Sequence, residues 1–360
     1  MDFLNTRYGL RSLLKTSELR TSTTGIPEAA LVVTKEPDIR LKLEEFAIIL
    51  SKNPEVLFQD SSTLEERKAS WTALLKKKVV LPLDARSRPG HVLLDYHMPH
   101  FWAVSSWKGV SVADLASDTS VMYKALWANL RMHSTPYMSE LRRSLCMVGG
   151  LSNVTKYRAP LAKVIVEEFG ASSVLDPCIG WGGRMLGAIA AGATYTGCEP
   201  CLLTVVGLQG ILKDIGRTAT IIAQPAEEGL LGLSCEYDMI LTSPPYFNLE
   251  VYDSSSTQSI TDHTWSTWVA EWLDPVIRMS LGLLKTGGVS CWSVKNFKTN
   301  GDYRLADEVK AAHEREGWEL VRTISMVGSG RPGEGRIKKG IETRGSEEET
   351  FCFRSKTNQP

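Results

Sequence analysis

The chain has 360 residues, 43% of them hydrophobic and 23% charged. This excludes a mainly disordered or fibrous protein and leaves two domains, or one large α/β domain with an appendage. Lys plus Arg and Asp plus Glu balance at 41 each, which excludes a globally basic nucleic-acid coat but not a local basic surface.

The balance is uneven along the chain, with 20 basic and 16 acidic side chains in residues 1–150 against 21 and 25 in residues 151–360. Seven cysteines at scattered spacings do not form a disulfide framework. No N-terminal run resembles a signal peptide, and no apolar stretch is long enough to span a bilayer. The expectation is a soluble, cytoplasmic protein with reduced thiols and no membrane partner.

Residues 1–30 are polar and read as an arm. Imperfect helical spacing over 39–52 is followed by a helix over 64–78, started at Asp60-Ser61-Ser62. Pro82, Pro89 and Gly90 break regularity, and 91–107 is dense in aromatics. His97 and His100 have metal-ligand spacing, but Pro99 separates them and no Cys or carboxylate cluster accompanies them, so no metal is expected. A helix over 111–132 precedes Arg142-Arg143 and Gly149-Gly150, where a domain boundary is placed. Residues 1–150 then form a mainly helical accessory domain and 151–360 a second domain.

After 150 the texture changes. Strands at 173–175, 195–198, 220–223, 237–241 and 289–294 alternate with helices at 157–169, 183–191, 203–215, 264–284 and 303–316, and strands at 320–327 and 350–353 close the chain. This predicts an α/β fold with a doubly wound, mostly parallel, Rossmann-like sheet.

Two motifs lie on strand ends. The run from Asp176 through Pro177, Cys178, Ile179, Gly180, Trp181 and Gly182 to Gly183 ends one strand and opens a helix. Glycine there permits a sharp turn and a close backbone approach to a ligand. Glu199 ends the next strand, where a carboxylate can accept two hydrogen bonds from a ribose diol. The spacing fits a nucleoside cofactor and matches neither the strict dinucleotide fingerprint nor a P-loop. Cys198 and Cys201 flank Glu199, but no second pair supports a redox or zinc reading.

The stronger motif is Ser243-Pro244-Pro245-Tyr246, after the apolar run Met239–Leu241. Consecutive prolines fix φ and remove two N–H donors, leaving rigid carbonyl acceptors beside a hydroxyl. Such acceptors suit an exocyclic NH2 group, whose lone pair becomes available as the nitrogen turns pyramidal. Tyr246 can stack on a base flipped from a duplex.

Together these motifs resemble the class I S-adenosylmethionine-dependent methyltransferases, and specifically the DNA amino-methyltransferases that make N4-methylcytosine or N6-methyladenine. That family reads Asp-Pro-Phe-x-Gly-x-Gly at its cofactor turn, where this chain has Cys178 for Phe. Its catalytic tetrad is matched by Ser243, Pro244, Pro245 and Tyr246. The resemblance implies S-adenosylmethionine as cofactor, bound by Asp176, Cys178, Gly180, Gly182 and Glu199. Asn153, Tyr157, Arg158 and Pro160 match an upstream cofactor-contacting segment loosely. It covers about 150–355, and the arrangement is similar to phage- or mobile-element-type DNA methylases.

Three departures accompany it. The acid or polar group expected for the adenine ring has three candidates, Gln224, Glu227 and Glu228. No insert large enough for target recognition follows either motif, so residues 1–150 become the candidate for that role. No dedicated base is evident. Phe247 and Tyr252 are expected to line the base pocket, and Lys295-Asn296-Phe297, after the fifth strand, to touch the base edge or the backbone. Arg331, Arg336, Lys338 and Lys339, in a Gly-rich stretch, are expected to meet the phosphates of double-stranded DNA. Ser at the first tetrad position favours cytosine N4 over adenine N6 in the family. The same fold acting on RNA or on a protein glutamine, and a catalytically silent DNA-binding subunit, are the competing readings.

Overall fold

The computed structural model describes residues 37–78, 81, 83–84, 87–131, 138–151, 155–234, 236–252, 263–327 and 348–356. The principal elements begin with α1 (Pro37–Lys52), α2 (Leu64–Lys76), β1 (Leu83–Asp84), α3 (His91–His97), α4 (Val112–Ser117), α5 (Thr119–Arg131), α6 (Met138–Gly149) and α7 (Ala159–Phe169). They continue as β2 (Ser173–Asp176), α8 (Gly183–Ala190), β3 (Thr194–Cys198), α9 (Leu202–Ile215), β4 (Thr220–Ile222), β5 (Tyr237–Thr242) and α10 (Asp274–Leu281). The chain closes with β6 (Leu284–Val294), α11 (Leu305–Arg315), β7 (Trp318–Val327) and β8 (Glu349–Ser355).

Two compact units emerge: residues 1–61 with 99–154, and residues 62–98 with 155–360. The chain passes between the units three times, and the third crossing, after 154, lies near the boundary expected at 150. Residues 62–98, read from the sequence as part of the N-terminal domain, group instead with the C-terminal half. Packing explains this. A Cβ on Gly90 would lie 3.2 Å from Leu74, 3.5 Å from Ala159 and 3.7 Å from Leu186. Asp214 of α9 accepts from Arg67 Nε at 2.6 Å and lies 2.8 Å from His97 Nε2, so that histidine is engaged in holding α2 and α3 to α9.

In the first unit, α1, α4, α5 and α6 enclose a core that includes Leu43, Leu50, Phe58, Met122 and Leu145. The single helix expected over 111–132 is two. Asp118 interrupts it, accepting from the Ser120 and Val121 N–H groups at 2.8 and 3.1 Å and so capping α5. Helix α6 has no counterpart in the sequence reading.

In the second unit, eight strands form one sheet in the order β1-β7-β8-β6-β5-β2-β3-β4. Strands β2 to β6 run parallel, and β8 enters antiparallel between β6 and β7. Parallel neighbours need helical crossovers. Accordingly α2, α3, α7, α8 and α9 pack with one another on one side, and α10 with α11 on the other. The second side shares a core with Trp268, Trp272, Ile277, Val309 and Trp292. This is the doubly wound, Rossmann-like α/β fold.

The helix expected over 264–284 changes pitch, with a π-helical turn at Val269–Leu273 between Trp265–Trp268 and α10. Pro275, in the first turn of α10, has no N–H to return to the preceding turn, so the ladder widens there. Strand β6 begins at Leu284 rather than at Val289.

The C-terminal end of β2 is tied most tightly. Asp176 is wholly buried. Its Oδ2 accepts from Arg184 Nε at 2.7 Å and from the Tyr195 hydroxyl at 2.6 Å. Its Oδ1 accepts from the Thr242 hydroxyl at 2.7 Å and from the Cys178 N–H at 3.1 Å. One carboxylate thus joins β2, β3, β5 and α8. At the opposite end, Asp238 accepts from the N–H and hydroxyl groups of Ser172 and Ser173, and from Lys285 at 2.8 Å. Asp176→Asn keeps the shape but turns a donor toward Arg184. It is expected to cost about 3–5 kcal/mol, the loss typical of breaking a buried pair. Urea unfolding checks this, and a loss below about 1 kcal/mol would show that the carboxylate does not brace the sheet.

Candidate active site

Residues 177–182 join β2 to α8 at the carboxyl edge of the parallel strands, the edge where such sheets take ligands. Gly180 and Gly182 have φ of +58° and +82°. What surrounds them differs. A Cβ on Gly180 would meet nothing within 4 Å, whereas one on Gly182 would lie 2.7 Å from Leu208 Cδ2. A Cβ on Gly183 would lie 2.1 Å from the Tyr157 carbonyl oxygen. Gly182 and Gly183 therefore serve helix packing, and Gly180 is the position of this run that borders open space.

Glu199 follows β3 and is buried. Its Oε2 accepts from the Gly180 N–H at 3.0 Å and its Oε1 from the Cys201 N–H at 2.9 Å. The two bonds hold the carboxyl beside Gly180 and leave a further lone pair on each oxygen. Burial pushes its pKa up to about 7, against the two N–H donors that lower it. An open glycine backbone beside a fixed carboxyl fits the ribose end of a nucleoside cofactor.

The other cofactor-binding expectations are placed as follows. Asp176 is saturated by protein donors, so its part is to brace the turn rather than to touch a ligand. Cys178 is half-buried, and burial followed by the Asp176 charge pushes its thiol pKa well up. Tyr157 lies 3.1 Å, hydroxyl to hydroxyl, from Ser293, with Arg184 over its ring at 5.2 Å. Arg158 is half-buried, and its Nη1 bonds no group. Glu227 accepts from Trp272 Nε1 at 2.8 Å, while Gln224 and Glu228 are exposed. Cys198 is wholly buried in the core and Cys201 is half-buried, both as free thiols. Asn153 lies outside the described residues.

Ser243 follows Thr242, whose hydroxyl is bonded to Asp176, so the tetrad is anchored to the same carboxylate as the glycine turn. Pro244 is buried and Pro245 half-buried. The Tyr246 ring packs against Phe297 at 5.4 Å between centroids. Trp181 of the glycine turn meets Tyr252 at 6.1 Å, and the Tyr252 hydroxyl donates to Glu250. The two motifs therefore share one edge of the sheet.

The Phe247 ring lies 5.5 Å from Trp265, 5.7 Å from Trp268 and 5.4 Å from Tyr303, in the buried cluster that also holds Tyr246. Among the described residues Phe247 is the one non-glycine with positive φ, at 39°. Such a backbone costs about 1–3 kcal/mol, which the aromatic packing offsets. Lys295 is half-buried directly after β6. Asn296 is engaged at the start of α11, accepting from the Ala306 N–H at 2.9 Å. Arg331, Arg336, Lys338 and Lys339 lie outside the described residues.

Two carboxyls at this edge were not anticipated. Glu348 Oε1 stands 3.5 Å from Ser243 Oγ. Glu349 pairs with Val294 across the antiparallel strands, which sets Glu348 beside Lys295. Burial raises the Glu348 pKa, with Lys295, Arg184, Ser243 and Tyr246 opposing. Burial raises Glu250 to about 7, aided by the Glu348 charge. Neither residue carries a motif. The usable signal was positional: an acid immediately before a strand that pairs antiparallel with β6.

No family model and no curated protein matches the chain. Among solved structures, an S-adenosylmethionine-dependent methyltransferase from Clostridium acetobutylicum ATCC 824 is similar at 10% identity over 55% of this chain and 90% of its own, with a TM-score of 0.38. Magnesium protoporphyrin IX methyltransferase from Synechocystis PCC 6803, with bound SAM, is similar at 11% identity over 57% of this chain and 86% of its own (TM-score 0.36). An rRNA methylase from Streptococcus thermophilus is similar at 11% identity over 56% of this chain and 99% of its own (TM-score 0.35).

Glu199 generates a pH prediction. Its raised pKa makes the carboxyl ionised above about pH 7 and neutral below. Only the ionised form accepts from both hydroxyls of a diol without a competing proton. Affinity for S-adenosylmethionine is therefore expected to rise between pH 6 and pH 8.5. Glu199→Gln should bind about 1–3 kcal/mol more weakly and without that slope. Calorimetry decides, and equal affinities would remove Glu199 from the ribose site.

Proposed function

We propose that the chain transfers a methyl group from S-adenosylmethionine to the exocyclic amino group of a base in DNA, cytosine N4 ahead of adenine N6. The observation that carries this reading is the shared edge. Gly180 with Glu199, and Ser243 to Tyr246, stand on neighbouring strand ends tied through Asp176 and through the Trp181–Tyr252 contact.

Gly180 and Glu199 would hold the adenosyl part of the cofactor. The cofactor supplies a methyl carbon on a sulfonium, open to in-line attack. The chain's task is then mainly positioning. Ser243 Oγ and the Pro244 carbonyl accept from the amine, drawing its nitrogen toward a pyramidal, nucleophilic form. Proline at 244 and 245 keeps these acceptors from rotating away. Tyr246, backed by Phe297, offers a fixed aromatic wall for a base taken out of the stack.

Double-stranded DNA is the proposed partner, with Arg331, Arg336, Lys338 and Lys339 meeting phosphates and the N-terminal unit choosing the target sequence. No described helix is long and apolar enough to cross a membrane.

Incubation with tritiated S-adenosylmethionine and duplex DNA, rRNA or tRNA, followed by digestion to nucleosides, tests the reading. The expected label is N4-methylcytosine from DNA. Label in RNA alone would replace the DNA substrate, and no label in any nucleic acid would discard the nucleobase reading. Ser243→Ala is expected to slow transfer about 100-fold or more, at or above the worth of one hydrogen bond made in the transition state. Its cofactor affinity should match that of the wild type.

A further inference from the structure

The target amine must shed a proton when it is methylated, and the sequence offered no group to take it. The fold brings one in from an unexpected direction. The parallel strands β5 and β6 end at this edge, and β8, running the other way, begins there. Its antiparallel pairing sets Glu348 beside Lys295 and puts Glu348 Oε1 3.5 Å from Ser243 Oγ.

The direction of that contact matters. The Ser243 hydroxyl donates toward Glu348. Its oxygen lone pairs are thereby left to accept from an amine on the other side. A separation of 3.5 Å is long for a hydrogen bond, and catalytic contacts of this kind tighten once substrate is bound.

We propose that Glu348 is a positioning and relay residue for methyl transfer, taking up the target amine's proton through Ser243 Oγ. The inference rests on the reading of Ser243 as the amine acceptor. The amine nitrogen bonds the methyl carbon, and the C–S bond breaks with its electron pair going to sulfur. The N–H proton passes to Ser243 Oγ as the Ser243 hydroxyl proton passes to Glu348 Oε1. The serine ends unchanged, the carboxyl ends protonated, and solvent later removes that proton.

Other charged and titratable groups face Glu348 from each neighbouring element. Lys295 follows β6, Arg184 belongs to α8, and Glu250 and Tyr246 lie after β5. Lys295 and Arg184 favour the ionised carboxylate, while Glu250 opposes it. Burial outweighs the two cations, so the carboxyl becomes ionised at a higher pH than an ordinary glutamate. The relay works only from the ionised form. Transfer is therefore expected to be slow in acid and to climb to a plateau with rising pH.

Single-turnover transfer from tritiated S-adenosylmethionine, measured across pH on duplex DNA, rRNA and tRNA, provides the test. Glu348→Gln is expected to lose about 100-fold at the plateau, within the range for proton-transfer groups, and to lose the rising limb. Glu348→Asp should recover part of the rate together with a rising limb. Glu250→Gln removes a neighbouring negative charge and should move that limb to lower pH. Cofactor affinity by calorimetry and the circular dichroism spectrum should be unchanged in Glu348→Gln. A Glu348→Gln enzyme with the wild-type rate, or a slower one with the wild-type limb, would overturn the relay alone. A wild type that labels no nucleic acid would overturn the nucleobase reading beneath it, which is a different failure.

Discussion

A single buried carboxylate decides how the functional edge of this protein is assembled. Asp176 takes donors from its own turn, from the first turn of α8, from β3 and from the last residue of β5. Removing a carboxylate from water is costly, and here four protein donors offset that cost at fixed distances. The glycine turn and the proline tetrad lie far apart in sequence, yet Cys178 of the one and Thr242 before the other donate to the same oxygen, Oδ1. All four donors are the chain's own groups.

The rest of the site follows from strand direction. A parallel sheet collects its strand ends on one edge, and loops there inherit the chemistry. In this chain β2, β3 and β5 deliver the turn, Glu199 and the tetrad. Inserting the reversed strand β8 next to β6 adds the start of a strand to an edge otherwise made of strand ends. Glu348 reaches Ser243 for that reason, although it stands near the chain's C-terminus.

Much of this was legible in the sequence, and the boundary of legibility has physical causes. Short apolar strands alternating with helices announced the doubly wound sheet, and the residues at its strand ends carried the two motifs. Local conformation was harder to see. Pro275 widened a helix, and Asp118 divided another, because capping and a missing N–H act over single turns. Glycine patterning marked the turn but could not separate Gly180, which borders open space, from Gly182 and Gly183, which yield to neighbouring atoms. Tyr246 and Phe247 are adjacent aromatics in sequence, and a left-handed backbone at Phe247 lets both rings enter one buried cluster, which alternation along a strand would not allow. The grouping of 62–98 with the C-terminal half depends on contacts across long sequence separations, such as Arg67 with Asp214, that no local pattern reveals.

The position of Phe247 links the interior to the chemistry. Its ring is clasped by Trp265, Trp268 and Tyr303, and the prolines that shape the slot sit immediately upstream on the same short stretch. The tetrad is in effect bolted from behind by an indole and phenol cluster. Truncating Trp268, which is wholly buried, would therefore loosen the core and the backing of the tetrad together.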